Sequence, residues 1–288
     1  SKNYLHFLTK IKEKAYILYK RKNMKICICT IIKDELEEYL DDFINYHLNL
    51  GIDHFFFFED INSSSHQNML SKYSSKYVTL MSVKDVLRKE ELEYVTKYHG
   101  IKQILALKEG MKFIKSNYDF DWCFAIDIDE YITLKDNSQS IKVLLWNYAD
   151  YDVIRMDWQN YNANGLIYKP DYSKQKIEDI YTQPCIMSTD DNPYMVMKNA
   201  FNMKTFKPYC LKNVHQIHEF VSSIANASKD IYIRHYITKS WEEYVWKLNV
   251  RGVYTRGHRT YDGFFSINPD LEIKKEELLK LAHEWTEK

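Results

Sequence analysis

Residues 24–32 read MKICICTII, β-branched or apolar at almost every position, which predicts a strand buried on both faces. The period then changes. Leu36, Tyr39, Leu40, Phe43, Ile44, His47 and Leu48 share one face at helical spacing, acids crowd the first turn, and Gly51 stands where a left-handed cap ends a helix. A second strand follows over residues 52–58, ending in Glu59-Asp60 and the loop INSSS. A short strand near 77–81, a helix from about 101 to 116, a strand at 122–126, a helix near 140–146 and a strand at 153–158 continue the alternation. Such alternation predicts an α/β fold with a mostly parallel sheet covered by helices on both faces. Residues 160–191, rich in Asn, Asp, Tyr and Lys, read as a long loop over the site. Strand-like pieces resume at 195–206 and 231–237, and helices at 241–249 and 276–285 close the chain.

Ligands of such sheets bind beyond the carboxyl ends of the strands, and three of those ends are polar: Lys33-Asp34-Glu35, Glu59-Asp60 and Asp127-Ile128-Asp129-Glu130. In DWCFAIDIDEYI an apolar run ends in three acids. Clustered carboxylates repel one another unless something positive sits between them. Two acids spaced two apart share one face of an extended chain and suit a hard cation, Mg2+ or Mn2+, with positions left for phosphate oxygens. A nucleoside diphosphate leaving group needs that neutralisation. Any acidic strand end matches a bare DxD, so its weight comes from its place after a buried strand in an alternating sheet.

Composition narrows the partners. Lys plus Arg and Asp plus Glu number 40 each in 288 residues, so no global field draws the chain to nucleic acid, and an anionic partner needs a local patch. Five cysteines without a CxxC spacing read as thiols of a reducing cytoplasm. No apolar run approaches the ~18 residues that cross a bilayer, and the first residues lack the features of a signal peptide. Residues 1–23 form a basic arm ahead of a single domain at 24–288, for no repeat or low-complexity linker interrupts the chain. In that arm Tyr4, Leu8, Ile11, Ala15 and Leu18 follow helical spacing among Lys10, Lys12, Lys14, Lys20, Arg21 and Lys22, with Lys25 just beyond it. Two readings stay open: peripheral contact with an anionic inner leaflet, or a helix packed on the domain.

The chain resembles nucleotide-sugar glycosyltransferases of the GT-A fold, in particular glycosyltransferase family 92 and its family 2-like bacterial relatives in surface-polysaccharide loci. The likeness runs from about residue 24 to 252 through six motifs in order: CTIIKDELEEYLDDFINYHLNLGIDHFFFFED, DWCFAIDIDEYI, DWQNYNANG, IEDIY, VMKNAFNMKTFKPYCLKNVHQIH and RHYITKSWEEYVWKLNVRG. It implies a metal-dependent transfer, with inversion expected, from a nucleotide-sugar donor, first of all a UDP-sugar. The acceptor would be a bacterial surface glycan, capsule or lipopolysaccharide, in some cases lipid-linked. Carried onto these positions, Thr30, Lys33, Asp34, Glu35, Glu59, Asp60, Asp127, Lys198 and Lys239 bind donor. The metal falls to Asp127, Asp129 and a late histidine, His235 rather than His215. Trp158, His215 and Arg251 meet the acceptor. A carboxylate must take the acceptor proton; Glu178 fits by motif order and Asp157 by its place at a strand end. Two departures stand where the acceptor is handled: Trp158-Gln159-Asn160-Tyr161 lacks the usual Phe-Gly, and Asp179 follows Glu178 where Arg is usual.

For each of these side chains the plainer reading is structural: a hydrogen-bonded core histidine, a solvated surface charge, a core aromatic. His215-Gln216-Ile217-His218-Glu219 is not HExxH and gives no zinc motif. Two rival functions remain at this level. A nucleotidyltransferase would want a Gly-rich phosphate loop after the first strand, which TIIKDELEE lacks. A non-catalytic glycan- or membrane-binding relative would have no need of Asp127 and Asp129.

Overall fold

The computed structural model describes residues 23–97, 102–185, 197–212, 215–218, 222–249 and 260–287. The basic arm, apart from Asn23, lies outside them. Among the described residues the sheet holds ten strands: β1 (Ile26–Ile32), β2 (His54–Glu59), β3 (Val78–Ser82), β4 (Trp122–Ala125), β5 (Glu130–Leu134), β6 (Val153–Tyr161), β7 (Pro184–Cys185), β8 (Met197–Asn202), β9 (Ile224–Asn226) and β10 (Ile231–His235). The order is β3-β2-β1-β4-β8-β6-β10-β5, with β7 and β9 also on β6. The first four are mutually parallel. Next, β8 runs antiparallel between β4 and β6, and β10 lies parallel to β6 and antiparallel to β5.

The strand alternation decides which residues meet which helices. Ile26 and Ile28 of β1 and Phe55 and Phe57 of β2 enter one core with Leu40 and Phe43 of α1 (Glu37–Leu50). Their neighbours Cys27, Cys29, Phe56 and Phe58 enter a second core with Ala106, Leu107 and Met111 of a later helix, Lys102–Asn117. Numbered in chain order, α2 is Lys89–Lys97, α3 is Lys102–Asn117 and α4 is Ile141–Trp146. A third core gathers Trp241, Tyr244, Phe264, Phe265 and Leu278 from α5 (Trp241–Asn249), α6 (Tyr261–Ile267) and α7 (Lys275–Thr286). A mostly parallel sheet between helices is what the periodicity predicts. Gly51, at φ 108°, caps α1 with its N–H on the His47 and Leu48 carbonyls. Gly110 matters for a different reason: a Cβ there would stand 2.7 Å from the Phe58 ring, so its absence lets α3 lie close on β2.

From β1 the chain reaches β2 through α1 on one face, and it reaches β4 through α3 on the other. The carboxyl ends of β1 and β4 therefore flank the point where the connections reverse, the usual crevice of an open α/β sheet. Two of the differences from the reading by period bear on the site. The stretch after Asp129, beyond the strand read at 122–126, is a separate strand, β5, which pairs with β10 on the far side of the sheet. And β6 runs on to Tyr161, taking residues 160 and 161 out of the long loop because they pair with β10 and β7.

His47 shows how tightly the core under α1 is specified. Its Nε2 accepts the Ile132 N–H at 3.2 Å, so Nδ1 carries the proton and donates to the Phe43 carbonyl at 2.8 Å. A second proton would face an N–H, and burial pushes the imidazole from 6.5 down to about 3. The unfolded chain takes up that proton near pH 6.5 and the folded chain only near 3. The stability this contributes is thus complete above about 6.5 and is lost as pH falls toward 3, by roughly 3–5 kcal/mol in total. Urea midpoints between pH 7 and 4 should fall more steeply in the parent than in His47→Gln. Identical pH slopes for the two proteins would remove His47 from the acid response.

Candidate active site

The chain turns between β4 and β5 at residues 126–129, and the turn is closed at both ends. The Glu130 N–H reaches the Asp127 carbonyl at 3.1 Å, and the Asp127 N–H donates to Glu130 Oε2 at 3.0 Å. The Asp129 carbonyl accepts the Tyr236 N–H at 2.9 Å, which ties the turn to the end of β10. Glu130 faces His235 directly in the β5–β10 register. Asp129, Glu130 and His235 each present a ligand atom within 4.8 Å of the others, a spacing that suits a metal ion. His235 Nδ1 lies 2.8 Å from Asn160 Oδ1. Against an acceptor oxygen Nδ1 carries the proton, which leaves the Nε2 lone pair facing Asp129 Oδ1 at 3.8 Å.

Asp127 stands outside that trio. Its carboxylate accepts from Lys198 Nζ at 2.8 Å and from Gln103 Nε2 at 3.2 Å. Lys198, on β8 and only 1% exposed, also lies 3.2 Å from Glu130 Oε1. Burial pushes the Glu130 carboxyl well up, and Asp127 and Asp129 push it the same way against Lys198. For Asp127 burial is again an upward push, but Lys198 outweighs it and holds the group below its usual range. Lys247 of α5 donates to Asp129 Oδ2 at 2.6 Å. Trp158 packs over this polar knot, 4.4 Å from the His235 ring and 5.0 Å from that of His215, with Lys198 Nζ 5.6 Å from its own centroid. His215 is fixed by a 2.9 Å contact of Nδ1 with the Met197 carbonyl, and burial, then the charge of Lys198, lowers it to about 4.

The ends of β1 and β2 form a second polar group. Asp34, at φ 47°, accepts from the Ser64 N–H and hydroxyl, each at 2.8 Å, and donates its own N–H to Ser63 Oγ. The Glu35 N–H goes to His66 Nε2 at 2.9 Å, and His66 Nδ1 then donates to Glu59 at 2.8 Å. Asp60 pairs with Lys102 at 2.7 Å. Lys33 is half-buried beside them, and Thr30 is buried in β1 with no hydrogen-bond partner for its hydroxyl among the described residues. The serine loop and His66 therefore hold the Lys33-Asp34-Glu35 turn and Glu59-Asp60 together at one sheet edge.

Other candidates are placed elsewhere. Glu178 lines a cavity of about 260 Å3 with Asp42, Asn45, Tyr46 and Lys176. Asp42 takes the Tyr131 hydroxyl at 2.7 Å, and Tyr131 pairs in register with Arg234. Since Arg234 and His235 alternate along β10, Glu178 lies on the α1 face, away from the Glu130–His235 face. Asp157 is exposed, and alternation along β6 sets it opposite Trp158. Lys239 is turned away to the Tyr39 ring, 3.2 Å from its centroid. Arg251 lies outside the described residues.

The model of glycosyltransferase family 92 matches residues 22–264. The chain belongs to glycosyltransferase family 92. Membership supports glycosyl transfer as the reaction class. No curated protein sequence matches this chain. Among solved structures it is similar to 4-diphosphocytidyl-2C-methyl-D-erythritol synthase from Anaerococcus prevotii, at 10% identity and a TM-score of 0.39, over 88% of this chain and 99% of that one. It is also similar to glucosyl-3-phosphoglycerate synthase from Mycobacterium tuberculosis, solved with Mn2+, UDP and phosphoglyceric acid, at 12% identity and a TM-score of 0.38, over 84% and 83% of the two chains.

Within this family 92 chain, three residues that the structure brings to the candidate site were assigned no role from sequence. Glu130 reads as the trailing acid of DxDE, and only the β5–β10 register places it against His235. Asn160 sat in what looked like loop. Lys247 is one of 40 basic residues, on a helix whose spacing does not say which carboxylate it meets.

Proposed function

We propose that this family 92 glycosyltransferase moves a sugar from a nucleoside diphosphate donor, in the first instance a UDP-sugar, to a bacterial surface glycan, with Mn2+ or Mg2+ held by Asp129, Glu130 and His235. The observation that carries the reading is the trio itself: two carboxylates and an imidazole at metal-ligand spacing, with the imidazole oriented by Asn160. Hard oxygen donors plus one nitrogen suit Mn2+ and admit Mg2+. The bound cation would neutralise charge building on the departing diphosphate. Asn160 keeps the His235 lone pair aimed at that position, and Lys198 offsets the carboxylates from behind without reaching solvent. Trp158 walls the site on one side. The polar edge formed by Asp34, Glu35, Glu59 and Asp60 is proposed for the nucleoside, since it lies beyond the carboxyl ends of β1 and β2. Among the described residues no helix is long and apolar enough to cross a membrane. Contact with a lipid-linked acceptor at the inner leaflet is proposed for the basic arm, on the strength of its charge and helical spacing in the sequence.

Melting the protein with a panel of nucleoside diphosphates and their sugars, with Mn2+ or with EDTA, tests the donor and the cation together. A ligand at a hundred times its Kd stabilises by about 2.7 kcal/mol, a rise of a few degrees for a chain this size. The rise should need both cation and nucleotide, and the nucleotide-sugar that gives it should be hydrolysed slowly in the absence of acceptor. No shift and no hydrolysis with any member under Mn2+ or Mg2+ would end this reading.

A further inference from the structure

Asp129 stands between two neighbours of different kinds, a neutral imidazole and an ammonium. Its Oδ1 faces the His235 lone pair at 3.8 Å, beyond hydrogen-bond reach, while Oδ2 is paired with Lys247 Nζ at 2.6 Å. The same ammonium lies 3.4 Å from the Ile237 carbonyl. Lys198 and Lys247 thus share the work of neutralising Asp127, Asp129 and Glu130, but they are not equivalent. Lys198 is enclosed at 1% exposure between Asp127 and Glu130. Lys247 keeps 11% exposure and stands in the last turn of the nine-residue α5 on a flexible four-carbon stem. A divalent ion among Asp129, Glu130 and His235 would compete with that ammonium for the same carboxylate and repel it at a few ångströms.

We propose that Lys247 is a resident counter-ion of Asp129 which the divalent cation displaces, and that the displaced ammonium then serves the donor diphosphate, so that cation and donor bind cooperatively. This rests on reading the trio as a cation site. It adds that the site is held ready by its own internal cation, and that a nucleoside diphosphate rewards the exchange by giving Lys247 a new anion. Couplings of this kind are commonly about five- to 150-fold in affinity, and they are reciprocal.

Calorimetric titration of Mn2+ into the full chain, with and without UDP, reads the coupling without any turnover. The parent should bind Mn2+ at least about fivefold more tightly when UDP is present. Lys247→Met should bind Mn2+ alone more tightly than the parent, since its competitor is gone, and should show little further gain from UDP. Lys247→Gln repeats the test with a polar neutral side chain should the Met variant fold poorly, and Lys247→Arg should keep most of the coupling. A neutral variant with unchanged or weaker affinity for Mn2+ alone, in a parent that does bind Mn2+, overturns the proposal and leaves the cation site standing. A parent that binds no Mn2+ with or without UDP removes the cation site, and this proposal with it.

Discussion

Asp129→Asn is expected to slow sugar transfer at least a hundredfold, about 2.7 kcal/mol in the barrier, with the fold left in place. Asn keeps the shape of the side chain and leaves untouched the Asp129 carbonyl that receives the Tyr236 N–H. What it removes is charge at the point where the carboxylate, Glu130 and His235 converge. A neutral amide oxygen is a poor exchange for a carboxylate toward a hard cation, and the remaining positive charge of Lys247 then faces the empty position. Asp127→Asn gives the contrast. Its carboxylate serves Lys198 and Gln103, so Mn2+ affinity should change only a few-fold, while any loss of rate arises from donor placement. Circular dichroism and melting must first show both variants folded. Retention by Asp129→Asn of more than about a tenth of the parent rate, a loss below ~1.4 kcal/mol, would rule out the metal role.

The contrast also marks where sequence stops informing. Strands buried on both faces declare themselves through unbroken apolar runs, so β1, β2 and β4 and the helices α1 and α3 between them were legible from period alone. The acids after β4 were legible as a site because nothing apolar explains them. Which acid meets which cation was not, since that depends on two registers. Pairing of β4 with β8 brings the start of β8 to the turn after β4, where Lys198 meets Asp127, and pairing of β5 with β10 sets Glu130 against His235. Both are long-range facts. Alternation along β6 sets Asp157 on the face opposite Trp158, and Glu178 lies beside Asp42 and Tyr46 of α1, so neither joins the trio. Family resemblance pointed to His235 as a candidate where local pattern offered an ordinary histidine. It could not supply Lys247 or Asn160, whose roles here come from contacts across the sheet rather than from neighbours in sequence.

The largest stability effect is expected at Glu243, an acid that in sequence looks like ordinary first-turn charge on α5. It is 4% exposed. Its Oε1 accepts from the Tyr39 and Tyr172 hydroxyls, and its Oε2 from the Tyr181 hydroxyl at 2.6 Å, the Ser240 hydroxyl at 2.6 Å and the Ser240 N–H at 3.1 Å. Burial works against the charge, but Lys239 and these donors outweigh it and hold the carboxyl below its usual value. One carboxylate thereby joins α1 through Tyr39, the 162–181 connection through Tyr172 and Tyr181, and α5 itself, which carries Lys247 one turn further on. Glu243→Ala would strand three tyrosine hydroxyls and the charge of Lys239 in a dry interior, a loss of about 3–5 kcal/mol. In melting temperature that is roughly 5–9 °C for a chain of this length. Glu243→Gln keeps one acceptor and lets a tyrosine hydroxyl turn round to accept, so it should fall between the two. The order parent, Gln, Ala in denaturant midpoint is the measurement. An Ala variant within about 1 kcal/mol of the parent would mean that the tyrosines find other partners, and that α5, with Lys247 on it, is positioned by the packing of Trp241 and Tyr244 in the third core rather than by this carboxylate.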